Sequence, residues 1–204
     1  MKKALLLALV TAVPWTAMAQ NPSASTAAAQ AKKAESYYHY SLARVLDQSE
    51  DLDEAIKEYR KAIDLNPTES AIHASMAQTY LKQRNRDEAI KAGQRAIELD
   101  RNNIGAHLIL KDLYLQAVLN SQNGRQPNQA LIKDNLEKAS RELEDIVRID
   151  PTKRDEFLQL GYIYRLSGNN DKAQEVYKRF MGNQPGSEEG MVALRSEEHT
   201  SELQ

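Results

Sequence analysis

Apolar and polar positions follow a helical period along most of this chain. In DEAIKEYRKAIDLNP, from Asp53 to Pro67, the apolar positions are Ala55, Ile56, Tyr59, Ala62, Ile63 and Leu65. Steps of three and four put them on one face of a helix. Asn66-Pro67 ends that helix, because proline lacks an N–H and disfavours helix in the residue before it. Upstream, ESYYHYSLARVLDQ carries large residues at the same steps, and Ser49 to Asp51 is a polar break. The pattern predicts two amphipathic helices joined by a short turn. One such hairpin leaves an apolar face on each side, so it must be stacked in an array to be stable.

The chain repeats the phrase. DEAIKAGQRAIELDR, from Asp87 to Arg101, matches eight of fifteen positions at an offset of 34 residues. The same offset separates His39, His73 and His107, Ala55 and Ala89, Ala62 and Ala96, and Pro151 and Pro185. Ala173 precedes Pro185 by the twelve residues that separate Ala55 from Pro67. A fixed period of this length is the signature of stacked repeats.

On these residues the chain resembles the tetratricopeptide-repeat family. That family's pattern is a bulky residue, Leu-Gly, Tyr, Ala, an aromatic, Ala and Pro. The first unit matches with His39, Leu42, Ala43, Leu46, Ala55, Tyr59, Ala62 and Pro67. The second has His73, Met76, Ala77, Tyr80, Ala89 and Ala96, and departs with Gly93 for the aromatic and Arg101 for proline. The fourth has Phe157, Leu160, Gly161, Tyr164, Ala173, Tyr177 and Pro185, with Phe180 where a small residue is usual. The resemblance covers Ala34 to Leu194 and implies an all-α fold, a right-handed α-solenoid of antiparallel helix pairs. Its units are expected at about 36–69, 70–103, 104–153, 154–187 and a truncated 188–194.

The spacing has a packing logic. Helices approach to about 8–10 Å only where side chains are small. Ala43, Ala77 and Gly161 supply that on first helices, and Ala55, Ala89 and Ala173 on second helices. The third unit departs. Lys111 stands in its small-residue slot, so either the helices separate there or the lysine snorkels outward. Extra residues near 117–133 lie between its helices, and Asn120 to Gln129 reads as loop. ALIKDNLEKASRELEDIVRID reads as one long helix. The insertion is either a tolerated loop or a projecting hairpin that touches a partner.

Both ends read differently from the middle. MKKALLLALVTAVPWTAMAQ has two lysines, an apolar run from Ala4 to Val13, Pro14, and the small-residue pattern Ala17-Met18-Ala19. This is the form of a secretory signal peptide over residues 1–19, with cleavage after Ala19. The run makes a helix of only about 15 Å, half of a bilayer core. The expectation is export from a Gram-negative bacterial cytoplasm, giving a periplasmic or secreted protein with no membrane span in the mature chain. Residues 20–33 read as a flexible leader. Arg195 to Gln204, RSEEHTSELQ, resembles the codon-for-codon translation of a common sequencing adapter, so 195–204 is expected to be an artefactual tail and the natural C-terminus to be missing.

Composition narrows the chemistry. The chain has no cysteine, which removes disulfides, thiolate nucleophiles and Cys-ligated metals. A formal net charge of −2 gives no electrostatic case for nucleic acid. His39, His73 and His107 sit in equivalent slots about 10 Å apart, whereas zinc needs ligand atoms at about 2.0–2.1 Å, so no metal is expected. Acid pairs such as Asp53-Glu54, Asp87-Glu88 and Glu188-Glu189 belong at helix starts, where they complement the dipole. No nucleotide-binding or hydrolase motif is present, so neither catalysis nor a cofactor is expected.

Binding remains. In the family resembled, first helices line a concave groove that holds a peptide or a partner surface. By phase, the groove residues here are Tyr37, Tyr40, Arg44, Gln78, Lys82, Leu108, Asp112, Tyr162 and Arg165. The basic residues do not reproduce the lysine-and-asparagine clamp some relatives use for a terminal carboxylate. The resemblance implies a protein–protein interaction scaffold whose partner is a protein or peptide. Two rivals stand beside it: the repeat arm of a larger envelope enzyme, secretion or transport component whose working domain follows residue 194, and a self-assembling structural protein.

Overall fold

The computed structural model describes residues 24–122 and 127–183, with Val192 and Arg195. The expected signal peptide, most of the fifth unit and most of the C-terminal tail lie outside these residues. Among the described residues there are eight α-helices and no strand. They are α1 (Ala24–Gln48), α2 (Leu52–Leu65), α3 (Ser70–Lys82), α4 (Arg86–Leu99), α5 (Ile104–Gln122), α6 (Gln129–Ile149), α7 (Arg154–Leu166) and α8 (Asn170–Asn183). Consecutive helices pair as hairpins, α1 with α2 through α7 with α8, and each second helix packs on the next first helix. The result is an all-α solenoid.

One boundary differs from the sequence expectation. A loose leader was expected over 20–33, yet α1 begins at Ala24. The segment ASTAAAQAKKA is rich in alanine, the residue with the highest intrinsic helix propensity, and contains neither glycine nor proline. Helix therefore propagates backward from the packed part of α1, with residues 25–35 exposed.

The turns inside the first, second and fourth units share one geometry. Glu50, Arg84 and Gly168 have φ of 63°, 62° and 73°. All three occupy the same position after the first helix. The residue after each donates back across the turn: Asp51 N–H to Leu46 O at 2.9 Å, Asn85 N–H to Tyr80 O at 2.9 Å, and Asn169 N–H to Tyr164 O at 2.8 Å. This closes the helix C-terminus and satisfies carbonyls that would otherwise lack a donor. The first two second helices then start with acidic residues, Asp53 and Glu54 in α2 and Asp87 and Glu88 in α4.

Small side chains line the crossings. Ala43, Ala55, Ala62, Ala77, Ala89, Ala96, Ala139 and Ala173 are all fully buried. At the fourth unit the approach is closest. A Cβ on Gly161 would lie 2.3 Å from the Tyr177 ring. In the second unit, where Gly93 replaces the aromatic, Leu110 of the next first helix fills the space, its Cδ2 3.0 Å from where a Cβ would stand. Phe180 takes a small-residue slot and is fully buried, its ring 5.7 Å from Phe157. The missing bulk of one unit is supplied by its neighbour, which the repeat pattern alone does not reveal.

The third unit is longer because its insertion is mostly helix. Val118 on α5 and Ile132 and Leu136 on α6 are buried and add a layer to the core shared with Tyr114, Leu143 and Phe157. Lys111 is buried along its stem, and its Nζ lies 3.1 Å from Asp112, an exposed carboxylate. Its charge thus reaches the surface while its methylenes fill the crossing.

Two substitutions test these constraints. Gly161→Ala should cost about 1–3 kcal/mol and lower the thermal midpoint by several degrees, because a buried ring must move. Gly93→Ala should cost less, since the end of one Leu side chain can swing away. Equal midpoints for the two variants would contradict the packing described. In the turn, Glu50→Gly should remove left-handed strain, for a net gain of about 0.5 kcal/mol after glycine's entropic cost. Differential scanning calorimetry should show a rise for Glu50→Gly and none for Glu50→Ala.

Candidate binding groove

The first helices α1, α3 and α5 touch one another in series as well as their own partners. They therefore form the inner side of the stack, and the face of each that points away from its second helix is available to a ligand. Tyr37, Arg44, Gln78, Lys82, Asp112, Tyr162 and Arg165 are exposed, while Tyr40 and Leu108 are half-buried. α7 reaches the array through α6 rather than α5. Tyr162 and Arg165 therefore stand on a first helix that packs on α6, at the far end of the series.

Several groove side chains are already engaged. Tyr40 packs its ring 6.0 Å from Tyr59, and its hydroxyl lies 3.1 Å from Ser75 Oγ. Lys82 Nζ donates to Asp47 Oδ2 at 2.5 Å and to the Asp47 carbonyl at 3.3 Å, while Thr79 Oγ1 donates to Asp47 Oδ1 at 2.8 Å. This cluster ties the second unit to the first, and it neutralises Lys82, which the sequence placed in the groove. Lys33 Nζ stands 5.7 Å from the Tyr37 ring centre, and the Arg165 guanidinium 5.2 Å from that of Tyr162. The two aromatic–cation pairs mark opposite ends of the groove.

A cavity of about 470 Å³ opens beside Lys82. Leu81, Arg84, Arg86, Leu113 and Gln116 share its lining. Sequence phase could have found Leu81 and Gln116, which follow the first-helix period. It could not have found Arg84 and Arg86, which reach the site only through the left-handed turn.

Equivalent polar contacts join successive units. Arg60 Nη2 donates to Tyr80 Oη at 3.1 Å, Gln94 Nε2 to Tyr114 Oη at 3.5 Å, and Tyr164 Oη to Glu144 Oε1 at 3.1 Å. Each contact spans 20 residues from a second helix to the next first helix. Burial pushes the Tyr164 hydroxyl up to about 12, and the nearby Glu144 carboxylate adds to this, so the group stays a donor. Ser36 Oγ donates to Ala62 O at 2.8 Å and Ser70 Oγ to Ala96 O at 2.9 Å, again at one spacing. Neither pattern was visible before the helices were packed.

The three histidines occupy one slot with different partners. His39 Nδ1 donates to Glu58 Oε2 at 2.5 Å, and His107 Nδ1 to Glu142 Oε2 at 2.7 Å. In the second unit the carboxylate position is Ala92, so His73 has only the Pro67 carbonyl, at 3.4 Å. Burial lowers the His73 pKa below the ordinary value. Burial also pulls on His107, but the Glu142 carboxylate and the Arg101 carbonyl outweigh it and hold its pKa above the ordinary value. Among the described residues no group of three or more His, Asp or Glu could hold a metal ion, and no helix is long and apolar enough to cross a membrane.

Family models described as tetratricopeptide repeat match residues 19–70, 46–103 and 157–187. The residues between, 104–156, hold Lys111 and the insertion that break the period. No curated protein matches the chain. Solved structures do. The crystal structure of MamA protein is similar at a TM-score of 0.59 and 19% identity, over 83% of this chain and 84% of that one. TTC0263, a thermophilic TPR protein in Thermus thermophilus, is similar at 0.53 and 22%, over 81% and 82%. The first TPR of Spaghetti (RPAP3), bound to HSP90 peptide SRMEEVD, is similar at 0.53 and 16%, over 67% and 98%.

The histidines yield a pH prediction. A raised His107 stabilises the fold fully below the ordinary histidine pKa of about 6.5, and that contribution is lost as pH rises through its folded value. A lowered His73 acts oppositely: its stability is present above about 6.5 and is lost as pH falls through its folded value. Ring-carbon NMR titration, assigned with His73→Asn and His107→Asn, should place the His107 midpoint above 6.5 and the His73 midpoint below it, to within roughly a unit. The reverse order would refute the assignment.

Proposed function

Because the chain belongs to the tetratricopeptide-repeat family, we propose that it is a binding scaffold that takes a protein or peptide partner along its inner groove, without catalysis of its own. One observation carries this reading. Arg44, Gln78, Asp112 and Tyr162 occupy the same position of the four first helices, and every one is exposed. Each unit thus offers a cation, an amide, an anion and an aromatic in turn to anything lying along the groove. Such a series suits recognition of one ordered segment of a partner, with each side chain reading a different group. Tyrosine and arginine at the ends are residue types that concentrate binding energy. The repeats of RPAP3, similar in fold, were solved with a peptide bound.

The place of action in this proposal is the envelope or the exterior of a bacterial cell. The support is the amino-terminal sequence: two lysines, the apolar run from Ala4 to Val13, and Ala17-Met18-Ala19. A cysteine-free chain suits an oxidising compartment, since it has no thiol to mispair.

A photo-crosslinking residue in the full chain tests the groove. Placed at Gln78 or Asp112, it should trap one common protein. Placed at Lys57 or Lys91, on exposed faces of second helices, it should not. Arg44→Ala should weaken the trapped complex by roughly tenfold or more if Arg44 is a principal contact. Capture from Lys57 and Lys91 alone would put the binding surface on the other side of the stack and refute the proposal.

A further inference from the structure

The first helix exposes the face that α3 and α5 bury and α7 buries in part. Ile72 and Thr79 on α3, Ala106 and Leu113 on α5, and Ile163 on α7 are buried. Ile72 clusters with Ala62 of α2, Ala106 with Ala96 of α4, and Leu113 with Ala89 of α4, so the cover is the preceding second helix. The equivalent positions on α1 are Tyr38, 65% exposed, and Val45, 58% exposed. No second helix precedes α1 among the described residues.

α1 also carries its own match for that face. Its amino-terminal half projects beyond the first hairpin, and residues 25–35 are all exposed. Ala27, Ala31, Ala34, Tyr38, Ser41 and Val45 recur at alternating steps of four and three. That is the spacing of a helix–helix seam, about 27 Å long, and all six are exposed. The small residues lie in the first half and the large ones in the second. Two copies paired antiparallel, with their two-fold axis beside residue 36, put Ala34 on Tyr38, Ala31 on Ser41 and Ala27 on Val45. Every layer then sets a small side chain against a larger one or against a serine. A parallel pair would set Tyr38 on Tyr38.

The register is one the chain already uses internally. Ala62 and Ala55 are seven apart on α2, as Ala96 and Ala89 are on α4 and as Ala34 and Ala27 are on α1. Within the solenoid the later alanine of such a pair clusters with the third position of the next first helix, Ile72 or Ala106, and the earlier one, Ala89, with the tenth, Leu113. The antiparallel pairing places the partner's Ala34 on Tyr38, the third position, and its Ala27 on Val45, the tenth. The projecting half of one α1 therefore does for a second copy what a preceding second helix does inside the chain.

We propose that this protein forms a two-fold dimer through α1, the projecting helix of each copy covering the open end of the other's solenoid. The occupant is a second copy because the face and its complement lie on the same helix in one self-complementary order. The surface is separate from the groove position shared by Arg44, Gln78, Asp112 and Tyr162, so dimerisation leaves two grooves open.

Sedimentation equilibrium on the full chain should show a dimer, and Ala31→Glu should weaken it roughly tenfold or more by placing a charge in the seam. Ala31 is exposed in the single chain, so helicity by circular dichroism should not change. These 204 residues include no cysteine, which makes crosslinking clean. Oxidising an equal mixture of Ala27→Cys and Val45→Cys chains should give a disulfide-linked pair, while each variant alone should not. A chain that stays monomeric at millimolar concentration overturns the proposal, whatever else covers the face. So does an undiminished dimer of Ala31→Glu, or ready crosslinking of Ala27→Cys with itself.

Discussion

The distance between two antiparallel helices is set by the side chains at their crossing, and this solenoid depends on keeping that distance short in unit after unit. Fully buried alanines hold the crossings of the first and second units, and in the fourth a glycine lets a tyrosine ring lie where a methyl group would stand. Interiors pack at nearly crystalline density, so volume lost at one position must be regained nearby. Gly93 and Leu110 show this across a unit boundary. What is held constant is the filling of each crossing, and individual residue types vary around it.

Close packing also decides the polar groups. A buried donor or acceptor without a partner costs more than a made hydrogen bond contributes, so burial selects arrangements that satisfy both. The second-helix contacts to Tyr80, Tyr114 and Tyr164 and the serine contacts to Ala62 and Ala96 recur because successive units bury the same atoms in the same way. Their weight lies in register. A unit that slid by one helical position against its neighbour would break the tyrosine contacts together, while the serine contacts keep the two helices of one unit in step. The same logic separates two of the histidines: the Glu142 carboxylate beside His107 favours its charged ring, while burial of His73, with Ala92 in the equivalent place, disfavours it.

Stacking consumes the faces between units, so what the molecule can present to others is confined to the inner side and the ends. Along the inner side some side chains are held in place by the fold, as Lys82 is by Asp47, and others remain open, as Gln78 does. Among the described residues the face of α1 lacks the cover that its equivalents have. A repeat protein must treat its end units differently from its middle ones, because the neighbour that buries an inner unit is absent there.

The helix-pair architecture was legible in the residues alone. Each unit meets the same neighbour surface, so volume and polarity recur every 34 residues and mark the helices, the crossings and the exposed phase. Much of the lengthened third hairpin was legible too, because Ile132, Leu136, Ala139 and Leu143 keep the helical step. Tertiary structure decided the rest. That α1 starts at Ala24 depends on helix propagating from a packed nucleus into a segment with no large apolar side chain of its own. That Lys82 is spent, that Arg84 and Arg86 join the groove's edge, and that His107 and His73 part company depend on residues on other helices. A single sequence displays the period of a surface, but which atoms oppose it exists only once the units are stacked.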